Sequence, residues 1–137
     1  MTAATALPFA DTNVLLYLIS HDAAKARRAE KLLSARIAVS VQVLNEFANV
    51  ARRKHSLDWH ELKETLAGIR HFVELHPLTS DTHLLGLVLA ERYRFSLYDA
   101  MIAAAALQAG CGTLLSEDFQ AGQVIDVRLK VVNPFAH

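Results

Sequence analysis

The sequence predicts an α/β fold with a mostly parallel central sheet, and two observations support this prediction. Short apolar segments without polar alternation, typical of strands buried on both faces, recur along the chain. Between them lie longer segments with apolar residues at helical spacing, several of them preceded by a capping residue. Strands that alternate with helices indicate a parallel sheet. With 137 residues and no credible linker, we expect one domain spanning residues 1–137.

The individual elements follow from the same two patterns. Strands are predicted at residues 7–10, 37–39, 73–75 and 113–115, with one or two more within 124–127 and 129–132. Helices are predicted at residues 14–19, 23–35, 41–53, 59–72, 81–93 and 97–109. Asp22, Ser40 and Asp58 are the expected N-caps of three helices, and Gly110 is expected to end the last one.

Composition narrows the classes of function. The single Cys111 excludes an internal disulfide and, as a small buried hydrophobe, fits a cytoplasmic protein. The apolar N-terminal stretch lacks a basic leader and is interrupted by Asp11 and Asn13, which argues against a signal peptide, and no apolar run is long enough to span a membrane. The net charge is zero, whereas nucleic-acid binders are typically basic. Several acids gathered in one metal site would leave the remaining surface basic.

Two acidic residues are predicted at the carboxyl ends of strands. Asp11 follows the first strand and Asp118 follows a later one, and ligands of open parallel sheets bind beyond this edge. Asp11 is either a metal ligand supported by Thr12 or Asn13, or a cap of the following helix. Asp118 and its neighbour Glu117 form either part of a site or an acidic loop.

Two further acids lie on predicted helices. Glu46 stands between apolar residues, where an unpaired buried carboxylate is unfavourable, yet the nearby Asn45 and Asn49 are compatible with a solvated face. Asp99 follows Ser96 in the spacing of a capping box, which explains it as well as metal binding does. Four carboxylates brought together repel one another, and a divalent cation removes that repulsion. Oxygen donors favour Mg²⁺ or Mn²⁺, and the lack of histidine near these acids argues against zinc.

Four short motifs in chain order carry a family resemblance. They are Asp11-Thr12-Asn13, Asn45-Glu46-Phe47, Leu97-Tyr98-Asp99-Ala100 and Leu115-Ser116-Glu117-Asp118-Phe119. In this order and spacing the chain resembles PIN-domain nucleases over nearly its whole length, particularly the VapC-type toxins of toxin–antitoxin pairs. The resemblance implies a three-layer α/β/α sandwich with a catalytic and metal-binding quartet of Asp11, Glu46, Asp99 and Asp118, supported by Thr12, Asn13, Ser116 and Glu117.

The same resemblance implies a cofactor and partners. Mg²⁺ or Mn²⁺ held by the quartet would activate water for the hydrolysis of RNA phosphodiester bonds. Proteins of this kind commonly form homodimers and are silenced by a cognate antitoxin, which often inserts a basic side chain into the acidic pocket. RNA also needs cations along its approach to such a pocket. The candidates are Arg52, Arg53, Lys54 and His55, and Lys25, Arg27, Arg28 and Lys31.

Three other functions fit parts of the pattern. An enzyme that transfers phosphoryl groups through Asp11 would favour a second Asp two residues later, where this chain has Asn13. A receiver domain with Asp11 as phosphoacceptor would need a suitable lysine late in the chain, and Lys130 lies in a predicted strand. A PIN fold that serves only as an interaction module would not need an intact quartet.

Overall fold

The computed structural model describes residues 6–136 and shows a six-stranded sheet covered by helices. The strands are β1 (Phe9–Ala10), β2 (Ile37–Ser40), β3 (Val73–His76), β4 (Thr113–Leu115), β5 (Val124–Ile125) and β6 (Leu129–Val132). The helices are α1 (Thr12–Leu16), α2 (Ala23–Ser34), α3 (Val41–Lys54), α4 (Trp59–Phe72), α5 (Ser80–Tyr93) and α6 (Leu97–Gln108), and a 3-10 turn, Tyr17–Ile19, extends α1. The expectations of no signal peptide and of one domain reaching both termini also concern residues 1–5 and 137, which lie outside the described residues.

The order of strands in the sheet is β3-β2-β1-β4-β6-β5, and all neighbours are parallel except β5 and β6. From β1 the chain first builds the sheet to one side through β2 and β3, and later continues on the other side with β4. The crevice beyond the carboxyl ends of β1 and β4 is therefore the switch point at which open α/β sheets bind ligands. The predicted α/β fold with a mostly parallel sheet is confirmed.

Helix α6 forms the centre of the helical packing. Its residues from Ala100 to Leu107 are all buried, as expected of a helix that is apolar on every side. It packs against α5, where a Cβ on Gly86 would lie only 2.7 Å from the Met101 sulfur. The absence of a side chain at Gly86 thus lets the two helices approach closely. This packing fixes the first turn of α6, which carries Asp99.

The three predicted N-caps are confirmed, whereas the helix predicted at 14–19 begins earlier, at Thr12, and the strands predicted at 7–10 and 124–127 are each two residues too long. Asp22, Ser40 and Asp58 cap α2, α3 and α4. The strand predicted at 124–127 ends at Ile125, because Asp126 and Val127 have φ values of 51° and 70° and form the hairpin turn to β6. The sequence did not indicate this turn, because Val127 is apolar and β-branched residues rarely adopt a positive φ. Among residues 6–136, no helix has the length and apolar character needed to cross a membrane.

Candidate active site

Asp11 lies at the centre of the site, directly after β1, and is only 3% exposed. Its Oδ1 accepts a hydrogen bond from the backbone N–H of Thr12 at 2.8 Å, which caps α1. Its Oδ2 accepts hydrogen bonds from Asn13 Nδ2 at 3.1 Å and from Ser116 Oγ at 2.7 Å. Asp11 is therefore a helix cap, as one interpretation of the sequence held. Both carboxylate oxygens are also held in place by neighbouring donors.

Ser116 connects the ends of β1 and β4. Its hydroxyl donates to Asp11 and accepts from the backbone N–H groups of Asp118 at 3.0 Å and Phe119 at 3.1 Å. Its own backbone N–H donates to the carbonyl oxygen of Val132 on β6 at 3.0 Å. This completely buried serine thus sets the path of the chain that carries Asp118 out of the sheet.

The carboxylate of Glu46 on α3 is held at both oxygens. Thr12 Oγ1 donates to Oε1 at 3.0 Å, and Gln42 Nε2 donates to Oε2 at 2.9 Å. Gln42 is a buried polar residue one helical turn before Glu46, and the sequence analysis missed it. Gln42 lies four residues before Glu46 on α3, and this spacing could have indicated that the two side chains meet. Glu46 is directed towards Thr12 and the site, while Asn45 and Asn49 face solvent.

Asp99 occupies the first turn of α6, where the hydroxyl of Ser96 accepts a hydrogen bond from its backbone N–H at 3.3 Å. Ser96 therefore caps the helix, but the reciprocal bond of a capping box, from the Ser96 backbone to the Asp99 carboxylate, is not formed. Burial raises the pKa of Asp99; a hydrogen bond from Ser96 opposes this, and the charges of Glu46 and Asp118 add to it. The Asp99 carboxylate thus belongs electrostatically to the acidic site.

The same acids act on Asp11. Burial raises the pKa of Asp11 from 3.8 to about 7, although the hydrogen bonds from Ser116 and Thr12 lower it. The negative charges of Asp99 and Asp118 raise it further. Residues predicted from four separate segments of the chain therefore share one electrostatic environment at the switch point of the sheet.

Glu117 does not face the other acids. Its Oε2 lies 2.7 Å from Lys25 Nζ on α2, and its Oε1 accepts a hydrogen bond from the Tyr17 hydroxyl. Lys25 Nζ also lies 3.0 Å from that hydroxyl. The hydrogen bond from Lys25, and after it the one from Tyr17, lowers the pKa of Glu117 and keeps its carboxylate charged. The backbone N–H of Glu117 meanwhile donates to Asn13 Oδ1 at 3.2 Å, so the residue links α2 to the centre of the site.

The cationic residues lie in three different places. Lys54 and His55 line a cavity of about 310 Å³ that also includes Asn13, Glu117 and Asp118. Arg52 and Arg53 line a separate groove beside the exposed Trp59. On α2, Arg28 Nε donates to the carbonyl oxygen of Pro134 at 3.0 Å, and Arg27 and Lys31 line a shallow surface groove away from the acids. Of these residues, only Lys54 and His55 share a cavity with Asn13 and Asp118.

The acids of the site do not form a closed metal cage. Within the described part of the chain, no three Asp, Glu, His or Cys side chains come close enough together to hold a metal ion by themselves. Mg²⁺ usually keeps several waters and is bound through only one or two carboxylates, so a hydrated ion does not need a closed cage of three side chains. The donor set consists of carboxylate oxygens, and the pKa of Asp11 is raised mainly by burial and further by the negative charges of Asp99 and Asp118. Both features fit a hard divalent cation.

Comparison with known proteins places this arrangement in context. The family model of the PIN domain matches residues 9–124. A toxin–antitoxin complex from Klebsiella pneumoniae has a TM-score of 0.71 and 23% identity, with 93% of this chain and 98% of that chain covered. Mycobacterium tuberculosis VapC20, a sarcin-ricin loop cleaving toxin, has a TM-score of 0.61 and 23% identity, with 80% and 88% covered. VapBC2 from Rickettsia felis, bound to a DNA fragment from its promoter, has a TM-score of 0.64 and 20% identity, with 91% and 98% covered. The comparison with curated proteins finds no match.

Proposed function

This chain belongs to the PIN domain family, and on that premise we propose that it is a metal-dependent endoribonuclease, the toxin of a toxin–antitoxin pair. The observation that carries the proposal is the burial of the Asp11 carboxylate close to other acids. This carboxylate is buried at the switch point of the sheet, and its pKa is raised to about 7 with contributions from Asp99 and Asp118. Acids are rarely concentrated in this way unless a positive ligand binds among them.

The residues have distinct roles in this proposal. Asp11 and Asp99 would hold Mg²⁺ or Mn²⁺ directly, Asp118 would contribute next, and Glu46 would act through a water or orient the nucleophile. When bound, the ion would lower the pKa of a water and offset the charge that develops on the scissile phosphate. Thr12 and Gln42 support Glu46 because they fix both of its oxygens in one orientation. A carboxylate held in this way can bind a water in a defined position without first reorganising.

The hydrogen bonds around Asp11 favour its charged form. The donors from Thr12, Asn13 and Ser116 satisfy the carboxylate in the orientation that we expect for metal binding. A nearby cation would lower the pKa of Asp11 and release its proton at neutral pH. Metal binding and deprotonation are therefore coupled, and both should weaken as the pH falls below about 7.

The partners follow from the same acidic pocket. The structural relatives include a toxin–antitoxin complex and VapBC2 bound to DNA. We expect this chain likewise to bind a cognate antitoxin, and a basic side chain inserted among Asp11, Asp99 and Asp118 would occupy the position of the metal. The proposal further includes an RNA substrate, a homodimer and a cytoplasmic location. Lys54, with His55 beside it, is the cation best placed to meet RNA near the acids.

The test is cleavage of RNA by the purified protein in the presence of Mg²⁺ or Mn²⁺. We expect cleavage that EDTA abolishes and that Asp11→Asn reduces by about one-hundredfold or more, because this substitution removes a charged ligand of similar size. The matched control is Asp22→Asn. It makes the same chemical change at an exposed helix cap, where Asn serves equally well.

Three results would contradict the assignment. Equal cleavage by the wild type and Asp11→Asn would indicate a contaminating nuclease. No cleavage of any RNA by a wild type that still binds its antitoxin would favour the interaction-module alternative. Loss of cleavage in Asp22→Asn as well would assign the effect to the fold instead of the site.

A further inference from the structure

Trp59 is the only tryptophan of the chain and lies on the surface at the first position of α4. It is 62% exposed, although tryptophan is on average a highly buried residue. The guanidinium carbon of Arg52 lies 4.2 Å from the centroid of its ring. Arg52 is itself held in place, because its NH1 donates to the carbonyl oxygen of Leu57 at 3.1 Å. An aromatic ring and a planar cation are thus arranged together on the surface before any ligand binds.

This pair forms one wall of a groove of about 380 Å³. The remaining lining consists of Ala48, Asn49 and Arg53, so the groove offers two cations, an amide and an aromatic ring, but no acid. Of the acids nearest along the chain, Asp58 and Glu61 are engaged with each other's backbone in the capping box that begins α4, and Glu46 is bound by Thr12 and Gln42. The groove is therefore suited to a ligand with negative charge and flat rings.

The groove is connected to the acidic site by α3. Glu46, Asn49 and Arg53 follow one another at i, i+3 and i+7, which places them on one face of this helix. Seven residues of α-helix rise by roughly 10 Å along the axis. A chain that passes the acids can therefore continue along α3 to Arg53 and Trp59.

We propose that this groove is a base-stacking subsite for a single-stranded segment of RNA next to the cleaved bond. A base stacks on Trp59 or on the Arg52 guanidinium, and Arg53 binds an adjacent phosphate. Bases of unpaired RNA commonly stack on aromatic rings and on arginine planes, while phosphates supply much of the affinity. The inference rests on the proposed function for its ligand class. A peptide of the antitoxin is the competing occupant, and the two cations and the absence of acids favour RNA.

The single tryptophan makes a direct binding test possible. Asp11→Asn protein, which should not cleave, is titrated with a short single-stranded oligouridylate while Trp59 fluorescence is recorded. Stacking of a base should quench the fluorescence in a saturable manner. Linear polyphosphate is the control, because it presents the charge without bases and should leave the fluorescence largely unchanged. Equal quenching by both ligands, or by neither, would overturn the stacking role.

Variants separate stacking from charge. In the same Asp11→Asn background, Trp59→Ala should weaken oligouridylate binding by about five- to one-hundredfold, and Trp59→Phe should retain most of it. Arg53→Ala should weaken binding and lower the slope of log affinity against log salt by about one. His60→Ala is the matched control, since it removes the next exposed ring on α4. We expect it to bind like the parent protein.

The outcomes distinguish this inference from the proposed function. If the wild type cleaves RNA and Trp59→Ala cleaves it with unchanged KM and kcat, the subsite is refuted and the nuclease stands. If the wild type does not cleave RNA but oligouridylate still quenches Trp59, the nuclease is refuted, and the groove stacks a base of RNA without lying next to a cleaved bond. If Trp59→Ala leaves RNA binding intact and weakens only the antitoxin complex, the groove binds the protein partner and the inference is wrong.

Discussion

Asp11 experiences two opposing influences in the metal-free protein. Burial and the charges of Asp99 and Asp118 disfavour its ionised form, while hydrogen bonds from Ser116 and Thr12 favour it. The first group is stronger, so the pKa lies at about 7 instead of the ordinary 3.8. Between about pH 4 and about pH 7, Asp11 in the folded protein therefore retains a proton that it loses in the unfolded chain. In the absence of metal, the stabilising contribution of this group is complete below about pH 4 and is lost as the pH rises through 7.

Because the wild type loses stability as the pH rises, the Asp11→Asn variant should become relatively more stable when both are measured in EDTA. The variant does not titrate, so its melting temperature relative to the wild type should increase between about pH 5 and about pH 8. Between these pH values the difference in free energy of unfolding should change by at most about 3 kcal/mol, because the window covers about two of the three pH units over which the Asp11 pKa is shifted. Thermal unfolding followed by circular dichroism measures it. A difference that does not change with pH would show that Asp11 is not held with a raised pKa.

At the scale of elements, the loop after β4 is tied to helix α2. Lys25 on α2 pairs with Glu117, Tyr17 joins both, and the backbone of Glu117 reaches Asn13. Lys25 Nζ also lies 4.7 Å from the centroid of the Tyr17 ring, within the range of a cation–π contact. The loop that carries Asp118 is therefore held from the side of α2 as well as by Ser116. Lys25, one of the candidate RNA contacts, is engaged within the protein by this pair.

Lys25→Met tests this tie, because it keeps much of the apolar stem and removes the charged donor. We expect kcat for RNA cleavage to fall about tenfold, as for other groups that orient ligands indirectly. Amide exchange at Glu117 and Phe119 should become faster. Arg27→Met changes an exposed cation two residues along the same helix and serves as the control. If exchange in the loop is unchanged in Lys25→Met, or equally fast in Arg27→Met, Lys25 does not position the loop.

At the scale of the whole molecule, an apolar surface remains uncovered on α5. Leu84, Leu87 and Val88 lie at i, i+3 and i+4 and are 58%, 45% and 46% exposed. Residues at this spacing form one continuous face of a helix. Isolated exposed apolar residues are common on soluble proteins, but a contiguous group indicates an interface. A second copy of the chain is the partner that the proposed homodimer would place there.

The double substitution Leu84→Glu and Val88→Glu should convert the proposed homodimer into a monomer. Charges introduced on this face cannot be buried without a partner, so association becomes unfavourable. Analytical ultracentrifugation measures the mass, and circular dichroism checks the fold. Val127→Asp, which charges an exposed valine in the β5–β6 turn, should remain dimeric. A wild type that sediments as a monomer, or a double variant that remains a dimer, would exclude this face as the interface.

The fold was largely predictable because it depends on local patterns. Apolar segments located all the strands to within a few residues, and side chains such as Asp22, Ser40 and Asp58 marked helix starts through short-range hydrogen bonds. The exception was Val127, whose left-handed conformation is imposed by the hairpin that joins β5 to β6. An apolar side chain carries no local signal of such a turn.

The acids of the candidate site could be proposed from the sequence, but their surroundings could not. Asp11, Glu46, Asp99 and Asp118 could be selected because strand ends and four ordered motifs mark them. The sequence left open whether Glu117 belongs with them, and it did not reveal the support of Glu46 by Gln42 or the pairing of Lys25 with Glu117. The Lys25 pair joins residues far apart in the chain, and only folding brings them within reach. Periodicity and capping act over a few residues and so can be read from sequence, whereas the protonation of Asp11 depends on burial and on distant charges that only the tertiary structure brings together.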